Sequence, residues 1–321
     1  MRLVVFGAGA IGGVVGARLQ QSGSEVVLIA RGAHYEAIAR DGLRLETPEE
    51  STVLEIPVFE DPAAVPWREH DVALLAMKTQ DTAAALGALA AVAPAELPIL
   101  CMQNGVENER LALRLFRNVY GAIVMAPTAH LEPGVVQAYS VPLSGGIDVG
   151  RYPEGVDSLC DELTAALLQA RFSSVPRARI MRWKYAKLLM NLGNVVEALC
   201  GRDGDEEELD RLAREEGRAC LRAAGIDVAG DAEDAERRRD LINIGEIAGR
   251  ERGGGSTWQS LIRGSGSIET DYLNGEVVLL GRLHGVPTPV NELVCELARE
   301  ALREGAKPGD ISPGEVLARL R

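Results

Sequence analysis

Compact apolar runs alternate with stretches of helical periodicity in the first half of the chain. The apolar runs, typical of strands buried on both faces of a parallel sheet, lie at residues 3–6, 25–29, 72–76, 99–102 and 119–124. The helical stretches between them lie at residues 10–21, 33–40 and 81–93. This βαβ alternation predicts a doubly wound α/β sheet of Rossmann type.

The pattern changes after this alternation. Turn signals at Pro133-Gly134 and Gly145-Gly146 predict antiparallel strands over residues 128–148. A helix over residues 157–170 and a last strand over 172–175 are predicted next. Beyond Pro176 the predicted elements are all helices, at residues 180–199, 206–224, 232–251, 268–284 and 288–304. We therefore predict an α/β domain over 1–175 and an all-α domain over 176–321, with a hinge near residues 173–177.

The composition fits this division. The 321 residues are about twice the usual domain length, and 46% of them are hydrophobic, enough for sizeable cores. The formal net charge of −13 argues against nucleic acid or an anionic membrane as the main partner, but not against a local anion site. Five scattered cysteines and four scattered histidines indicate neither a disulfide framework nor a metal site, and the chain is expected to be cytoplasmic.

A glycine-rich turn follows the first predicted strand and opens the first predicted helix. It consists of Gly7, Ala8, Gly9, Ala10, Ile11 and Gly12. In this context Gly7 permits a tight turn, Gly9 lets the backbone approach a pyrophosphate, and Gly12 allows the helix to pack closely on the strand. The free N–H groups of the helix N-terminus favour an anion. The turn is thus a candidate dinucleotide site, the alternative being an ordinary glycine-rich turn.

The end of the second predicted strand indicates which dinucleotide is bound. NAD-binding domains usually place a carboxylate there for the ribose 2′-OH, whereas this chain has Ala30 and then Arg31. A guanidinium can bind a 2′-phosphate that a carboxylate would repel. The sequence therefore favours NADP(H), unless Arg31 is an ordinary surface arginine.

Two polar residues follow later strands of the predicted sheet. Lys78 comes after the third strand, and Asn104-Gly105 comes after the fourth. Residues just beyond the carboxyl ends of parallel strands line the ligand crevice. Lys78 is thus a candidate for an anionic substrate or cofactor group, and Asn104 for the nicotinamide ribose or the substrate. The alternatives are a solvated cation and a plain turn.

The predicted helices of the second domain carry further polar residues in apolar surroundings. Trp183, Lys187, Asn191 and Asn194 are spaced to share one helix face. A lysine and two asparagines there need partners or a function, although a lysine reaching out to solvent would also fit. Glu269 opens another predicted helix, where a carboxylate also suits the helix dipole. Ser256, after three glycines, is a candidate helix cap or a ligand for a small acid.

Four separated motifs occur together in this chain. They are the glycine-rich turn with Arg31, Ala76-Met77-Lys78, Gln103-Asn104-Gly105, and Lys187 with Asn191 followed by E-T-D-Y-L-N-G at residues 269–275. Many dehydrogenases share the first motif, whereas the last combination is much more specific. With these motifs the chain resembles the ketopantoate reductase (2-dehydropantoate 2-reductase) family over essentially its whole length.

The resemblance implies a fold and an activity. The implied fold is an N-terminal Rossmann-type domain that binds NADP, joined to an all-α C-terminal domain like that of 6-phosphogluconate dehydrogenase, for substrate binding and dimerisation. The implied activity is NADPH-dependent reduction of ketopantoate to pantoate, in pantothenate and coenzyme A synthesis. The implied partner is a small 2-oxo acid, with a homodimer possible and the choice between monomer and dimer left open.

The resemblance also implies roles for individual residues. Lys187 would be the general acid that polarises the 2-keto oxygen and delivers a proton to it. Glu269 would orient the substrate hydroxyl, influence Lys187 and contact the cofactor. The residues implied to bind the substrate are Asn104, Asn191, Asn194 and Ser256. Those implied to hold the cofactor are Gly7, Gly9, Ala10, Ile11, Gly12, Arg31, Lys78 and Asn104.

Three departures from the family pattern border the implied substrate site. Val195 stands where the family often has a second asparagine, and the nearby Asn194 is the candidate replacement. Trp183 lies four residues before the lysine rather than two, and the glycines at 253–255 precede an unusual Trp258. The sequence thus leaves open a reductase of another small 2-oxo acid. A non-catalytic NADP-binding sensor is a further alternative.

Overall fold

The structure divides the chain into two units. The computed structural model describes residues 1–201, 206–250, 254–262 and 268–320. The first unit contains Met1–Lys184 and Asp231–Glu251, and the second contains Tyr185–Gly230 and Arg252–Arg321. This division differs from the predicted domains 1–175 and 176–321, because residues 176–184 and 231–251 belong with the first unit.

The secondary structure alternates in the first unit and is helical afterwards. The strands are β1 (Arg2–Phe6), β2 (Glu25–Ile29), β3 (Leu43–Glu46), β4 (Ser51–Leu54), β5 (Val58–Phe59), β6 (Asp71–Leu75), β7 (Ile99–Cys101), β8 (Val119–Met125), β9 (Thr128–Ala129), β10 (Val135–Ala138), β11 (Gly145–Arg151) and β12 (Phe172–Ser173). The helices are α1 (Ala10–Gln21), α2 (Gly32–Asp41), α3 (Thr79–Ala90), α4 (Asn108–Leu113), α5 (Ser158–Gln169), α6 (Ile180–Asn191), α7 (Gly193–Cys200), α8 (Glu207–Ala223), α9 (Asp231–Arg238), α10 (Ser256–Ile262), α11 (Asn274–His284), α12 (Pro289–Glu304) and α13 (Pro313–Arg319). Two 3-10 turns are Pro62–Ala64 and Glu269–Tyr272.

The first unit is built on an eight-stranded sheet in the order β12-β11-β8-β7-β6-β1-β2-β5. Its neighbouring strands run parallel except β11, which is antiparallel to β8. From β1 the chain passes to β2 and β5 on one side and then crosses to β6 on the other. Phe6 pairs with both Ile29 and Leu75, so the carboxyl ends of β1, β2 and β6 are level. A topological switch point, where ligands bind in such sheets, therefore lies beyond β1.

Apolar side chains cover both faces of this sheet. In β6, Leu74 packs in the same core as Val14 of α1. The adjacent Ala73 and Leu75 point to the opposite face and pack with Leu86 of α3. Alternate residues of one strand thus enter two cores, as a doubly wound sheet requires. The predicted Rossmann-type fold is confirmed, and a second sheet in the order β4-β3-β10-β9 joins it.

The described part of the second unit contains helices as its only regular elements, which confirms the all-α prediction. Its core includes Leu192, Leu209, Val277 and Leu297, each no more than 1% exposed. Leu209, Val277 and Leu297 come from α8, α11 and α12, so the apolar stripes predicted from the sequence face one another.

Two helices that were predicted as continuous are each split into two elements in the structure. Residues 180–199 form α6 and α7, with an interruption at Leu192. Residues 268–284 begin with the 3-10 turn Glu269–Tyr272, and Leu273 (φ −111°, ψ −84°) separates this turn from α11. Both interruptions lie beside predicted site residues, so they change which faces those residues share.

A third prediction, a helix over residues 232–251, is correct only for α9. Asp240 has a positive φ of 61°, which ends helical geometry, and Gly249 has a φ of 72°. Within the first unit, Ile244 of this segment forms a β-bridge with Ser140. The buried Asp148 accepts from Arg237 of α9 and, at 2.9 Å, from Nε of Arg177. Beyond α9, this β-bridge thus takes the place of the predicted helix.

Arg250, at the end of the segment after α9, forms ion pairs that we expect to weaken in acid. Arg250 contacts Glu46 through two bonds of 2.9 and 3.0 Å and also pairs with Glu132. The guanidinium lowers the pKa of both carboxyls below the usual 4.5. Because these folded-state pKa values are depressed, the stabilisation is complete above pH 4.5 and is lost as the pH falls through them.

Arg250→Gln tests this expectation. We expect the variant to be about 1 kcal/mol less stable to urea at neutral pH, and this difference to shrink as the pH falls below 4.5 and the two carboxylates take up protons. The matched control is Arg117→Gln, which removes an exposed pair with Glu96 elsewhere in the first unit. A difference that persists undiminished in acid would contradict the assignment.

The described residues include no helix that is long and apolar enough to cross a membrane. They also include no group of three or more His, Cys, Asp or Glu side chains placed to hold a metal ion. The cytoplasmic location and the possible homodimer stay predictions.

Candidate active site

The glycine-rich turn lies at the switch point of the first unit. Gly7 has a φ of +99°, and a Cβ there would lie 2.7 Å from the backbone N of Met77. On Gly12 a Cβ would lie 2.1 Å from the Gly7 carbonyl oxygen, so the helix can approach the strand only with glycine. A Cβ on Gly9, in contrast, would meet no described heavy atom within 4 Å. These are the geometries that a tight turn, a close helix and an open phosphate cradle require.

The start of α1 completes the cradle. Ala10 and Ile11 begin the helix directly after Gly9, which has no side chain with which to cap it. The first N–H groups of a helix have no partner within the helix and carry partial positive charge. The described residues at this site therefore fit a dinucleotide pyrophosphate.

Arg31 lies beyond β2, close to two carboxylates. Its side chain is 72% exposed, and Nη2 lies 3.8 Å from Oδ2 of Asp81. The following backbone N–H, that of Gly32, donates to Oε1 of Glu60 at 3.3 Å. Glu60 directly follows β5, which pairs with β2. Glu60 could not be predicted from the sequence, because β5 is too short to show a strand pattern.

Lys78 and Asn104 lie on neighbouring loops, as predicted. Lys78 precedes α3 after β6, and Asn104 follows β7, which pairs with β6. The Thr79 hydroxyl donates to the Asn104 carbonyl at 3.2 Å, and the Asn108 amide donates to the same oxygen at 2.9 Å. Both side chains, Lys78 and Asn104, are half-buried at this edge. The structure thus brings them together and fixes the backbone that carries Asn104.

A buried ion pair that was not predicted from the sequence contacts the loop that carries Asn104. Lys184 of α6 pairs with Glu109 of α4, and these side chains are 2% and 0% exposed. The Lys184 ammonium also donates to the Gln103 carbonyl at 3.2 Å. Burial raises the pKa of the Glu109 carboxyl, and the Lys184 charge opposes this. No described group donates to Oε2 of Glu109, so Lys184 is essential to keeping that carboxylate ionised.

In the second unit, Lys187 and Asn191 lie one turn apart on α6. Asn191 is buried and Lys187 is half-buried. Their shared face agrees with the prediction, but Asn194 does not continue it, because α6 ends at Asn191 and Asn194 belongs to α7. Trp183, predicted on the same face, stacks under the Arg177 guanidinium at 4.1 Å within the first unit.

Asn274 joins the two most specific motifs. Its side-chain amide donates to the Leu192 carbonyl at 3.1 Å and to Oδ1 of Asn291 at 3.0 Å. Leu192 is the residue directly after Asn191, at the interruption between α6 and α7. The segment that contains the buried Glu269 is thereby attached to the end of the helix that carries Lys187. The sequence spacing could not show this contact, since it depends on both interruptions.

The segment before α10 lies close to Asn194. The Gly255 N–H donates to Glu197 at 3.3 Å, and a Cβ on Gly255 would lie 3.7 Å from Oδ1 of Asn194. A Cβ on Gly254 would lie 2.5 Å from Cγ of Trp258, so this glycine lets the indole pack on the backbone. Ser256 is the first residue of α10, and Gly253 lies outside the described residues.

Comparison with known proteins identifies the family. The family description "Ketopantoate reductase PanE/ApbA" matches residues 3–154, and "Ketopantoate reductase PanE/ApbA C terminal" matches residues 179–302. The chain belongs to the ketopantoate reductase family. The predicted family membership is confirmed.

Relatives with similarity over the full length agree. A 2-dehydropantoate 2-reductase of Halobacterium salinarum is 30% identical, with 95% of this chain and 100% of that protein covered. A 2-dehydropantoate 2-reductase of Pyrococcus horikoshii is 29% identical, with 96% of this chain and 100% of that protein covered. A crystal structure of a PanE/ApbA family ketopantoate reductase from Ralstonia eutropha matches with a TM-score of 0.78 at 29% identity. The match covers 95% of this chain and 99% of that one. Family membership makes this chain an oxidoreductase that uses a nicotinamide dinucleotide.

Proposed function

We propose that this chain reduces ketopantoate to pantoate with a hydride from NADPH, a step of pantothenate and coenzyme A synthesis. The observation that carries the proposal is the attachment of the Glu269 segment to the Lys187–Asn191 helix through Asn274. This contact unites in one fold the residues whose combination is most specific for the family. The names of the full-length relatives support the same substrate.

The first unit would hold the cofactor. The backbone of Gly7 and Gly9 and the first turn of α1 would bind the pyrophosphate, and Arg31 would bind the 2′-phosphate. When bound, NADPH supplies the hydride. Lys78 and Asn104, at the ends of neighbouring strands, would contact its nicotinamide side and the substrate.

Lys187 would act as the general acid. A 2-oxo group that accepts hydride at carbon develops negative charge on its oxygen. An ammonium group polarises the carbonyl beforehand and gives one of its protons to that oxygen, so that the product is a neutral hydroxyl and the lysine is left neutral. Half-burial of Lys187 strengthens this interaction by reducing its competition with water. Asn191, Asn194 and Ser256 would bind the substrate carboxylate and hydroxyl, and Glu269 would orient the hydroxyl.

Assay of the purified chain tests the proposal. We expect ketopantoate to support NADPH oxidation with formation of pantoate, and related 2-oxo acids to give lower kcat/KM. A higher kcat/KM for another acid would overturn the substrate but keep the reaction class. Binding of NADPH without turnover of any 2-oxo acid would overturn the enzymatic proposal and favour the sensor alternative.

Arg31→Ala tests the choice of NADPH. Removing one charged hydrogen-bonding partner of a phosphate should weaken NADPH binding by about 10- to 100-fold, with little change for NADH, because only NADPH carries the 2′-phosphate. The dissociation constants of both cofactors are measured by titration. Arg40→Ala, which removes an exposed arginine of α2, the helix that directly follows Arg31, serves as the control. Equal losses for the two cofactors would contradict the role of Arg31.

A further inference from the structure

Histidine 34, near the start of α2, bonds the backbone through both of its ring nitrogens. Nε2 lies 2.7 Å from the carbonyl oxygen of Ala8, and the N–H of Gly134 donates to Nδ1 at 2.9 Å. A nitrogen that accepts an N–H must carry a lone pair, so the proton of the neutral ring is on Nε2. His34 therefore donates to Ala8 and accepts from Gly134, and it is neutral in this arrangement.

The Ala8 carbonyl belongs to the peptide whose other end is the N–H of Gly9. In a planar trans peptide these two groups point in opposite directions. The neighbouring groups have other partners: the N–H groups of Gly7 and Ala8 donate to Ile29, and the Gly13 N–H donates to the Gly9 carbonyl at 2.7 Å. The bond from His34 thus turns the Gly9 N–H away from the imidazole.

Without that bond the Ala8–Gly9 peptide would rotate easily. Glycine accepts backbone conformations that other residues avoid, and a Cβ on Gly9 would have no described heavy atom within 4 Å. The open space beside Gly9 that lets a phosphate approach also leaves room for the Ala8–Gly9 peptide to rotate. A side chain that binds the Ala8 carbonyl removes this freedom.

The imidazole itself is firmly held. Gly134 has a φ of +76°, and a Cβ on it would lie 3.0 Å from Cβ of Ala37 on α2, so the turn and the helix are in close contact. The Gly134 carbonyl accepts from the Arg44 N–H of β3 at 2.9 Å. The His130 ring lies beside His34 with its centroid at 4.0 Å. Burial lowers the pKa of His34, which suits a neutral ring.

We propose that His34 is a positioning residue for the dinucleotide: it holds the Ala8–Gly9 peptide with the Gly9 N–H directed to the pyrophosphate. The proposal rests on the cofactor role of the glycine-rich turn given under the proposed function. Its ligand class is any nicotinamide dinucleotide, since the pyrophosphate is common to NADPH and NADH. His34 thereby links the second sheet, through Gly134, to the cofactor loop.

Three variants separate this role from a structural one. The side-chain amide of His34→Gln reaches the position of Nε2 and keeps the donor to Ala8. His34→Asn places its amide near the position of Nδ1 and keeps only a partner for Gly134. His34→Phe fills the space but bonds neither the Ala8 carbonyl nor the Gly134 N–H. Dissociation constants are measured by calorimetry for NADPH, NADH and adenosine 2′-monophosphate, which lacks the pyrophosphate.

We expect His34→Phe and His34→Asn to weaken the binding of NADPH and of NADH by the same factor, about tenfold. The dissociation constant of adenosine 2′-monophosphate should not change. His34→Gln should bind nearly as the natural chain does. Rescue by asparagine instead of glutamine, or weaker binding of all three ligands, would overturn the proposal in favour of a structural role. Unchanged binding in every variant would also overturn it.

The same titrations keep this proposal apart from the proposed function. A natural chain that binds NADPH with the expected dependence on His34, yet turns over no ketopantoate, would refute the substrate and leave the role of His34 intact. A natural chain that binds neither dinucleotide would overturn both.

Discussion

Replacing Lys187 with alanine is expected to lower kcat for ketopantoate by about 100-fold or more, with NADPH affinity changed by less than about twofold. The loss follows from removing the proton donor and the charge that stabilises the developing alkoxide. The affinity is preserved because the proposed contacts to the phosphates of NADPH come from the glycine-rich turn and Arg31 and not from Lys187.

Single-turnover rates and NADPH titrations measure the two quantities separately. Lys187→Arg keeps the positive charge but cannot release a proton near neutral pH, so it should also be slow if proton donation is essential. Lys307→Ala removes an exposed lysine of the same unit and is the control for general effects. Turnover of Lys187→Ala at the level of this control would refute the general-acid role.

Replacing Lys184 with methionine is expected to destabilise the protein by about 3–5 kcal/mol. Methionine fills the space but leaves the fully buried Glu109 carboxylate without its cation. The carboxylate must then be protonated or draw in water, and either change costs free energy. Adding Glu109→Gln should recover much of the loss, because a neutral amide is less costly to bury than an unpaired charge.

Urea unfolding of the single and double variants tests this ion pair. The matched control is Arg182→Met on the same helix, where the partner Glu233 is 50% exposed and the expected cost is below about 1 kcal/mol. If Lys184→Met is no more harmful than this control, the pair does not stabilise the fold. Because Lys184 also bonds Gln103, the folded variant should bind substrate less well through the Asn104 loop.

The large sheet was predictable because its strands are buried on both faces and read as continuous apolar runs. The glycine-rich turn was predictable because its glycines lie close together in the sequence, and because a Cβ on Gly7 or Gly12 would clash with the backbone. The spacing of Lys187 and Asn191 was predictable since it depends only on the geometry of one helix.

The remaining features depend on contacts between distant residues. The interruption at Leu192 coincides with the bond from Asn274, 82 residues later. The buried pair of Lys184 and Glu109 joins residues 75 positions apart. A strand as short as β5 owes its form to its neighbour β2, so the acid at Glu60 had no local signal.

The discontinuity of the first unit has a consequence for its synthesis. Asp148 is made 89 residues before Arg237, and Glu46 is made 204 residues before Arg250. On the ribosome the sheet can form early and Asp148 can already pair with Arg177, but the bonds from Arg237 and Arg250 form only after Tyr185–Gly230 of the second unit has been translated. A fragment that stops at Lys184 would keep the glycine-rich turn and lose these partners. A stable fragment of the first unit therefore needs both stretches of chain.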